Sequence, residues 1–221
     1  MADTGAEITA VLFDMDGVMV DSERYWHDEQ PEHIFPQTLD GEQPELSETT
    51  GMYYKEIYDY LDEEYETKIS KEEFVGLFDE VAMDIYHNRV ELLDGFHELR
   101  AELASRDIPV TVVTSSPASW HEIVLDRFDI DVDEIITAEN LDAAGKPAPD
   151  IYQKAAEIVG HSPENCLVIE DSKNGIESAE RAGAVVVAYR DEHNAETDLS
   201  EADIVTEDPE ALREVILSQA E

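Results

Sequence analysis

Short apolar runs alternate with helical segments over most of the chain, and this alternation limits the fold more than any other feature. The predicted strands are 8–13, 109–113, 135–136, 166–169, 184–187 and 204–205, the last of them at a sheet edge. The predicted helices that alternate with them are 96–105, 118–128, 151–159, 175–182 and 209–217. This order is typical of a parallel sheet covered by helices on both faces. We therefore predict an α/β fold with a doubly wound, Rossmann-like parallel sheet.

A helical stretch interrupts this pattern directly after the first strand. Its apolar residues recur at helical spacing in two groups, namely Tyr53, Ile57, Tyr60 and Leu61, and then Phe74, Leu77, Phe78 and Val81. Ser70 and Glu73 form a capping-box signature at the start of the second helix. We predict an all-helical cap domain over residues 19–91, inserted into an α/β core domain that consists of residues 1–18 and 92–221.

The charge balance excludes several kinds of partner. The 221 residues include 55 acidic and 14 basic side chains, which gives a formal net charge of −41. Binding to nucleic acid or to an anionic membrane needs clustered Lys and Arg, so we expect neither. Apolar runs stay well below the ~20 residues of a membrane span, and the N-terminal residues do not have the pattern of a signal peptide. Cys166 is the only cysteine, which suits a reducing cytosol, so we predict a cytoplasmic protein. Strong like charge also favours a monomer.

The acidic residues are spread over the whole sequence instead of forming a tail. Such a chain repels itself in dilute buffer. At 1 M salt the Debye length falls to ~3 Å and most of this repulsion is screened, so we predict a halophilic protein from a salt-rich cytoplasm. An acidic protein that sequesters calcium is the alternative, although its usual spaced acidic loop with a central glycine is not apparent.

Chemically active residues follow the predicted strands at their carboxyl ends, where parallel sheets place their sites. Asp14 and Asp16 follow the first strand, and Thr114 follows the second. Lys146 precedes a helix, and Glu170-Asp171 follows the fourth strand. Like charges gathered at one point resist ionisation, and a divalent cation together with a lysine would relieve that cost. Oxygen ligands without thiols are typical of Mg²⁺, which we predict as the cofactor.

These residues resemble the four signature motifs of the haloacid dehalogenase superfamily. The motifs are the run 11–18 (VLFDMDGV), Thr114, Lys146-Pro147 and Glu170-Asp171-Ser172. The helical insert after the first strand is similar to that of the small-capped β-phosphoglucomutase-like branch, which includes sugar-phosphate phosphatases. The resemblance covers nearly the whole chain and rests on four motifs in order, each of which would be weak evidence alone.

The resemblance implies catalytic roles for four residues. Asp14 would attack phosphorus and form an aspartyl-phosphate, and Asp16 would act as the general acid and then as the base for water. Thr114 would donate a hydrogen bond to the transferring phosphoryl group, with a further one from the Ser115 backbone. Lys146 would hold the nucleophile and neutralise charge. Without the other motifs, Asp14 and Asp16 would read equally well as turn or cap residues.

The resemblance also implies the metal ligands. Mg²⁺ would be bound by the carboxylates of Asp14 and Asp171 and by the backbone carbonyl of Asp16. For Glu170 the resemblance leaves two roles open, a direct ligand or a residue behind the ligands.

The insert supplies two further candidates for substrate binding, Trp26 and Lys55. Trp26 stands where β-phosphoglucomutases have a histidine and some sugar-phosphate phosphatases have tryptophan; packing within the insert is the equal alternative. Lys55 stands near the position of an arginine by which the mutase holds a second phosphate, and lysine lacks the bidentate fork of arginine.

The residues and the resemblance together predict a function. We expect a Mg²⁺-dependent phosphatase that hydrolyses a small phosphorylated metabolite, for example a sugar phosphate. The alternatives are a β-phosphoglucomutase-like phosphotransferase and, from different classes, a catalytically silent acidic binding protein or a receiver-type signalling domain. The receiver domain fits poorly, because its adjacent acid pair follows the first strand, whereas Glu170-Asp171 comes late in this chain.

Overall fold

The computed structural model describes residues 5–141 and 144–220, and in these ranges the chain forms a six-stranded sheet. The strands are β1 (Ala10–Phe13), β2 (Val110–Thr114), β3 (Glu134–Thr137), β4 (Cys166–Glu170), β5 (Val185–Tyr189) and β6 (Ile204–Thr206). Their order is β3-β2-β1-β4-β5-β6, and every neighbouring pair is parallel. This confirms the predicted fold class, including the edge position of the last strand.

Helices connect the strands and cover the sheet. The α-helices are α1 (Glu23–Glu29), α2 (Phe35–Thr38), α3 (Tyr54–Glu64), α4 (Lys71–Asp84), α5 (Phe96–Ser105), α6 (Ala118–Phe128), α7 (Asp150–Val159), α8 (Lys173–Ala182) and α9 (Pro209–Gln219). The bounds of α5 and α6 agree with the prediction. None of the helices in the described ranges combines the length and the apolar character needed to traverse a bilayer.

The alternation of side chains along β1 divides the interior into two apolar clusters. Val11 and Phe13 face the cluster that includes the helical insert, and the ring of Phe13 meets that of Phe96 on α5 edge to face at 5.5 Å. Ala10 and Leu12 face the opposite cluster, which contains residues of α7 and α8. Since both faces are buried, β1 is an uninterrupted apolar run, as is typical of a central parallel strand.

The residues between β1 and α5 form a helical insert, which we define as residues 19–91. Helix α1 continues through a π-helical turn (Gln30–Ile34) into α2, and α4 ends in a second π-helical turn (Ile85–Arg89). The predicted capping box at the start of α4 is present, with the Ser70 and Glu73 side chains each accepting from the other's backbone N–H. Leu93 N–H donates to the Met19 carbonyl at 2.9 Å, so the two segments that join the insert to the sheet lie side by side. Phe74 and Phe78 belong to the same apolar cluster as Phe13.

The excess of acidic side chains predicts that salt stabilises the fold. Most of the described cations at the surface are already paired, for example Arg89 with Glu29 and Asp84 and Lys71 with Asp59. The many carboxylates that remain repel one another over longer distances. We expect the urea midpoint of unfolding to rise by about 1 M between 0.1 M and 2 M KCl, or about 2 kcal/mol at a typical m-value. Sucrose at the same osmolality controls for solute exclusion. A midpoint that stays constant or falls in KCl contradicts the prediction.

Candidate active site

The candidate site lies at the carboxyl ends of β1, β2 and β4, where the order of strands reverses. β1 pairs with β2 on one side and with β4 on the other, which is the position at which open α/β sheets bind ligands. Asp14 follows β1, Thr114 ends β2, and Glu170 ends β4. The structure thus brings the predicted catalytic residues of three strands to one edge of the sheet.

Lys146 lies between two of the buried carboxylates. Its ammonium group donates to Asp14 Oδ1 and, at 2.6 Å, to Glu170 Oε1. Only 3% of Lys146 is exposed, so this cation is almost completely removed from water. Burial alone would lower the pKa of Lys146, but the two carboxylates outweigh it and raise that pKa. Lys146 therefore stays charged and holds Asp14 in place.

Glu170 accepts hydrogen bonds at both carboxylate oxygens. Oε1 accepts from Lys146 and from the Tyr152 hydroxyl at 2.6 Å. Oε2 accepts from the backbone N–H of Asp171 at 3.2 Å and from the N–H and hydroxyl of Ser172. With this many donors on a fully buried carboxylate, Glu170 is suited to anchoring Lys146.

Gly175 in α8 makes room for the Glu170 carboxylate, since a Cβ atom at this position would overlap with all three atoms of that group. We expect Gly175→Ala to destabilise the protein by about 1–3 kcal/mol, the usual cost of overpacking, and to lower activity by displacing Glu170 and Lys146. Gly76→Ala is the matched control, because Gly76 is an exposed helix residue whose added Cβ would touch nothing within 4 Å. The control should gain about 0.5–1 kcal/mol from helix propensity. Urea unfolding measures both, and a Gly175→Ala protein as stable as the control contradicts the assigned packing.

The buried carboxylates of Asp14, Glu170 and Asp171 are suited to binding a metal ion. Each offers an oxygen, and the three oxygens lie within 4.8 Å of one another. No described residue donates a hydrogen bond to the Asp171 carboxylate, and Gly17 leaves room for it, because a Cβ there would overlap with it. Burial raises the pKa values of Asp14 and Asp171 well above their usual range, and neighbouring carboxylates add to this, while Lys146 opposes it. A hard divalent cation would offset both the burial and the repulsion.

The Asp16 side chain lies outside this carboxylate cluster. Its Oδ1 accepts from the hydroxyls of Ser22 and Tyr86, each at 2.6 Å. Its Oδ2 accepts from the Ser116 hydroxyl at 2.7 Å and from Thr114 at 3.5 Å. Four hydroxyls thus hold the carboxylate that the sequence predicts as the general acid. Sequence reasoning missed Ser22, Tyr86 and Ser116 as functional candidates. Of these, Ser116 could have been found from its position close to Thr114 at the end of a predicted strand.

Glu23, at the start of α1, is another residue that sequence reasoning missed. Its side chain lies beside Gly17, and burial and the nearby charges of Asp16 and Asp191 raise its pKa to about 8, although part of the residue is accessible to solvent. The Glu23 carboxyl therefore adds to the acidic character of the site.

Thr114 and Ser115 lie at the end of β2 with distinct contacts. The fully buried Thr114 hydroxyl accepts from Ser116 N–H at 2.9 Å. The Ser115 hydroxyl donates to the Gly51 carbonyl of the insert at 3.3 Å. A second contact joins Asn174 of α8 to the Thr50 carbonyl at 2.8 Å. The insert is therefore closed over this end of the sheet.

A cavity between the insert and the sheet contains the site. Asp14, Asp16, Ser115, Lys146 and Asp171 line it, as does Trp26. Trp26 is 5% exposed, stacks on Phe78 at 5.3 Å, and donates its indole N–H to the Tyr86 hydroxyl at 3.3 Å. Trp26 thus both packs within the insert and forms part of the cavity wall.

The structure does not bring Lys55 into this cavity. Lys55 lies in a separate cleft beside Glu139, with its ammonium 3.8 Å from that carboxylate and close to the rings of Tyr53 and Tyr54. Thr114 and Glu170 are fully buried and do not line the cavity, but they contact Asp16 and Lys146, which do. Lys55 has no such contact with the described residues of the site.

The fold and this centre together define an α/β protein with buried carboxylates beside a buried lysine at the carboxyl edge of its parallel sheet. The sequence profile of the haloacid dehalogenase-like hydrolases matches residues 8–183. The chain belongs to the haloacid dehalogenase-like hydrolase family, which confirms the resemblance stated from the motifs.

Curated relatives of this chain carry the names of phosphatases. It is 29% identical over 194 residues to the probable pseudouridine-5'-phosphatase of Drosophila melanogaster, covering 84% of this chain and 83% of that protein. It is also 29% identical over 198 residues to hexitol phosphatase B of Escherichia coli K12, covering 86% of this chain and 88% of the relative.

Solved structures share the fold over nearly the whole chain. A β-phosphoglucomutase from Clostridium difficile superimposes with a TM-score of 0.73 at 24% identity, covering 96% of this chain and 97% of that one. CbbY from Rhodobacter sphaeroides in complex with phosphate gives a TM-score of 0.74 at 21% identity, with 93% and 96% covered.

Proposed function

We propose that the protein is a Mg²⁺-dependent phosphatase that hydrolyses a small phosphorylated metabolite, of the sugar or polyol phosphate class, through an aspartyl-phosphate. The observation that carries this proposal is the buried Asp14 carboxylate, held by Lys146 next to Asp171 in the cavity between the insert and the sheet. The names of the curated relatives, a hexitol phosphatase and a probable pseudouridine-5'-phosphatase, support the substrate class.

The first half of the reaction transfers the phosphoryl group to the enzyme. Asp14 attacks phosphorus, the bond to the ester oxygen breaks, and protonated Asp16 gives its proton to the leaving alkoxide. Lys146 binds one Asp14 oxygen and no described residue donates to the other, which leaves that oxygen available for the attack. Lys146 also offsets negative charge on the phosphoryl group.

The second half regenerates the enzyme. Asp16, now ionised, accepts a proton from water, and the water oxygen attacks the phosphorus of the aspartyl-phosphate. The phosphorus bond to Asp14 breaks, inorganic phosphate is released, and Asp16 is again protonated. The hydroxyls of Ser22, Tyr86 and Ser116 hold the Asp16 carboxylate during both transfers.

Asp14 and Asp171 would hold Mg²⁺ through their carboxylates, together with the Asp16 carbonyl. When bound, the ion supplies positive charge for the phosphoryl oxygens. Because Glu170 accepts from Lys146, Tyr152 and Ser172, we assign it the role of anchoring Lys146 instead of ligating the metal.

The insert, residues 19–91, would act as a cap domain that excludes water from the reaction, with residues 1–18 and 92–221 as the catalytic core domain. The contacts of Gly51 with Ser115 and of Thr50 with Asn174 support a closed position. The composition supports a cytoplasmic monomer adapted to high salt.

Hydrolysis is favoured over the alternative mutase reaction by the position of Lys55. A mutase must hold a second phosphate while it transfers the first. Lys55, the residue nearest to the mutase arginine in sequence, lies in a separate cleft beside Glu139. The lining of the cavity therefore lacks this cation among its described residues.

Phosphate release from a panel of sugar and polyol phosphates tests the proposal. The assay uses ~2 M KCl to screen the acidic surface, and compares added Mg²⁺ with EDTA. We expect turnover that EDTA abolishes and Mg²⁺ restores. A folded protein that releases no phosphate from any substrate, including p-nitrophenyl phosphate, overturns the proposal in favour of a silent binding protein.

A further inference from the structure

We propose that the site accepts phosphate esters whose leaving group is an uncharged, hydroxyl-rich chain or ring, and rejects substrates that carry a second anionic group. This inference rests on the proposed phosphatase function and defines its substrate class more narrowly. Three features of the cavity carry it: the lack of an unpaired cation among its described lining residues, an aromatic part of the wall, and a side-chain amide whose N–H donors face the cavity.

The cavity offers a second anion no cation. Among the described residues that line it, Lys146 is the sole Lys or Arg, and it already bonds to Asp14 and Glu170. Beyond the phosphate position the lining is acidic, since Asp16 and Glu23 both contribute carboxyl groups. A carboxylate or second phosphate on the leaving group would therefore enter the cavity without a counter-charge, and it would oppose any ionisation of Asp16 and Glu23.

A second cleft adjoins the cavity, and its described residues do not supply an unpaired lysine or arginine either. It shares Glu23 and Asp171 with the cavity and extends past the start of α8. The lysine that lines it, Lys173, is 3.8 Å from Glu177. The acidic residues that line the cleft in addition to the shared pair are Glu45, Glu192, Glu196 and Asp198. A substrate that extended from the cavity in this direction would meet further negative charge.

Part of the cavity wall is aromatic and offers apolar ring surfaces. Trp26 and Trp120 lie 5.7 Å apart, and Tyr54 lies 4.8 Å from Trp120. Both indole N–H groups are used inside the protein, by Tyr86 at 3.3 Å and by Asp79 at 3.0 Å. The wall therefore suits the C–H face of a sugar or polyol, against which aromatic rings make apolar contact.

Gln30 supplies a polar group suited to a hydroxyl. This residue lines the cavity and is 5% exposed, and its Oε1 accepts from Thr49 at 3.1 Å. No described residue accepts from its Nε2 hydrogens. Because this amide group faces the cavity, its N–H donors are available to an oxygen of a bound ligand. The hydroxyls of an uncharged leaving group provide such oxygens without adding charge.

A matched pair of substrates tests the inference on the wild-type enzyme. D-glucitol 6-phosphate and 6-phosphogluconate share the carbon chain and the phosphate, and differ in a terminal CH₂OH or carboxylate. Both are assayed in ~2 M KCl, where the long-range repulsion of the acidic surface is screened and the local charges dominate. We expect kcat/KM for glucitol 6-phosphate to be at least ~50-fold higher, because the carboxylate of 6-phosphogluconate would lose water without gaining a counter-charge.

Turnover of p-nitrophenyl phosphate distinguishes failure of the substrate inference from failure of the proposed phosphatase function. If this substrate is hydrolysed but the two six-carbon esters react equally, or the anionic one reacts faster, or neither reacts, the inference is overturned and the phosphatase function stands. If no substrate of the three is hydrolysed by the folded protein, the proposed function itself fails.

Adding a cation to the wall tests the electrostatic cause. Gln30→Lys should reduce the preference for glucitol 6-phosphate over 6-phosphogluconate at least ~10-fold, since it supplies the missing counter-charge. Circular dichroism checks that this variant folds. If it does not, Thr50→Lys places a lysine at a partly exposed position of the same cavity. The isosteric Gln30→Met variant is the uncharged control and should leave the anionic ester disfavoured. An unchanged ratio in the folded lysine variant overturns the assignment of charge as the cause.

Discussion

Replacing Asp14 with asparagine is expected to lower kcat at least ~10⁴-fold, because an amide cannot form the acyl phosphate on which the reaction depends. The fold should persist. Asn has nearly the same shape as Asp, and the substitution removes one of several buried negative charges that repel each other. Lys146 also keeps its second carboxylate partner, Glu170. Phosphate release measures the loss of activity, and circular dichroism with thermal unfolding measures the retained fold.

Asp126→Asn is the matched control for this experiment. Asp126 is an exposed residue of α6, so the same change of charge and shape takes place away from the site. The control should keep wild-type activity and stability within about 0.5 kcal/mol. If Asp14→Asn keeps more than a few per cent of wild-type turnover, Asp14 is not the nucleophile.

Replacing Lys146 with methionine is expected to affect both stability and catalysis. Met keeps an unbranched side chain of similar length but removes the charge, which leaves Asp14 and Glu170 buried without their shared cation. Loss of one partner from a buried charge cluster costs about 3–5 kcal/mol. Activity should fall ~10³-fold, because the charge that balances the transferring phosphoryl group is also lost.

Lys154→Met provides the control, because Lys154 is exposed on α7 and pairs with Glu157 at the surface, where such pairs contribute less than about 1 kcal/mol. Urea unfolding compares the two variants in the same salt. Added Mg²⁺ should return part of the stability of Lys146→Met, since it supplies positive charge to the same carboxylates, but not the activity. Equal stabilities of the two variants would contradict the central position assigned to Lys146.

The sequence predicted the α/β core well because its local and tertiary signals agree. Helices α5 and α6 begin directly after Gly95 and Pro117, residues that commonly mark helix starts, and both have the predicted bounds. The strand ends were less accurate. β5 continues to Tyr189, two residues past the predicted end of this strand at residue 187, and Tyr189 pairs with Thr206 of β6. Such pairing between strands has no local signal in the sequence.

The site was predictable where its residues follow strands, and not where the insert contributes them. Asp14, Thr114 and Glu170 come to one edge because parallel strands end there, which the strand pattern alone implies. Tyr86, Gln30 and Glu23 lie on helical faces whose direction depends on how the insert closes over the sheet. Proximity in sequence to the mutase arginine suggested Lys55, whose actual direction is towards Glu139.

Trapping the phosphorylated enzyme tests the central claim most directly. Enzyme in ~2 M KCl with Mg²⁺ is mixed with a substrate carrying radioactive phosphorus, quenched in acid within the first turnover, and digested for peptide mapping. We predict an acid-stable, hydroxylamine-sensitive label on the peptide that contains Asp14, absent from the Asp14→Asn variant. Substrate turnover without a label on that peptide, or a label on a different residue, would contradict the mechanism proposed for this protein.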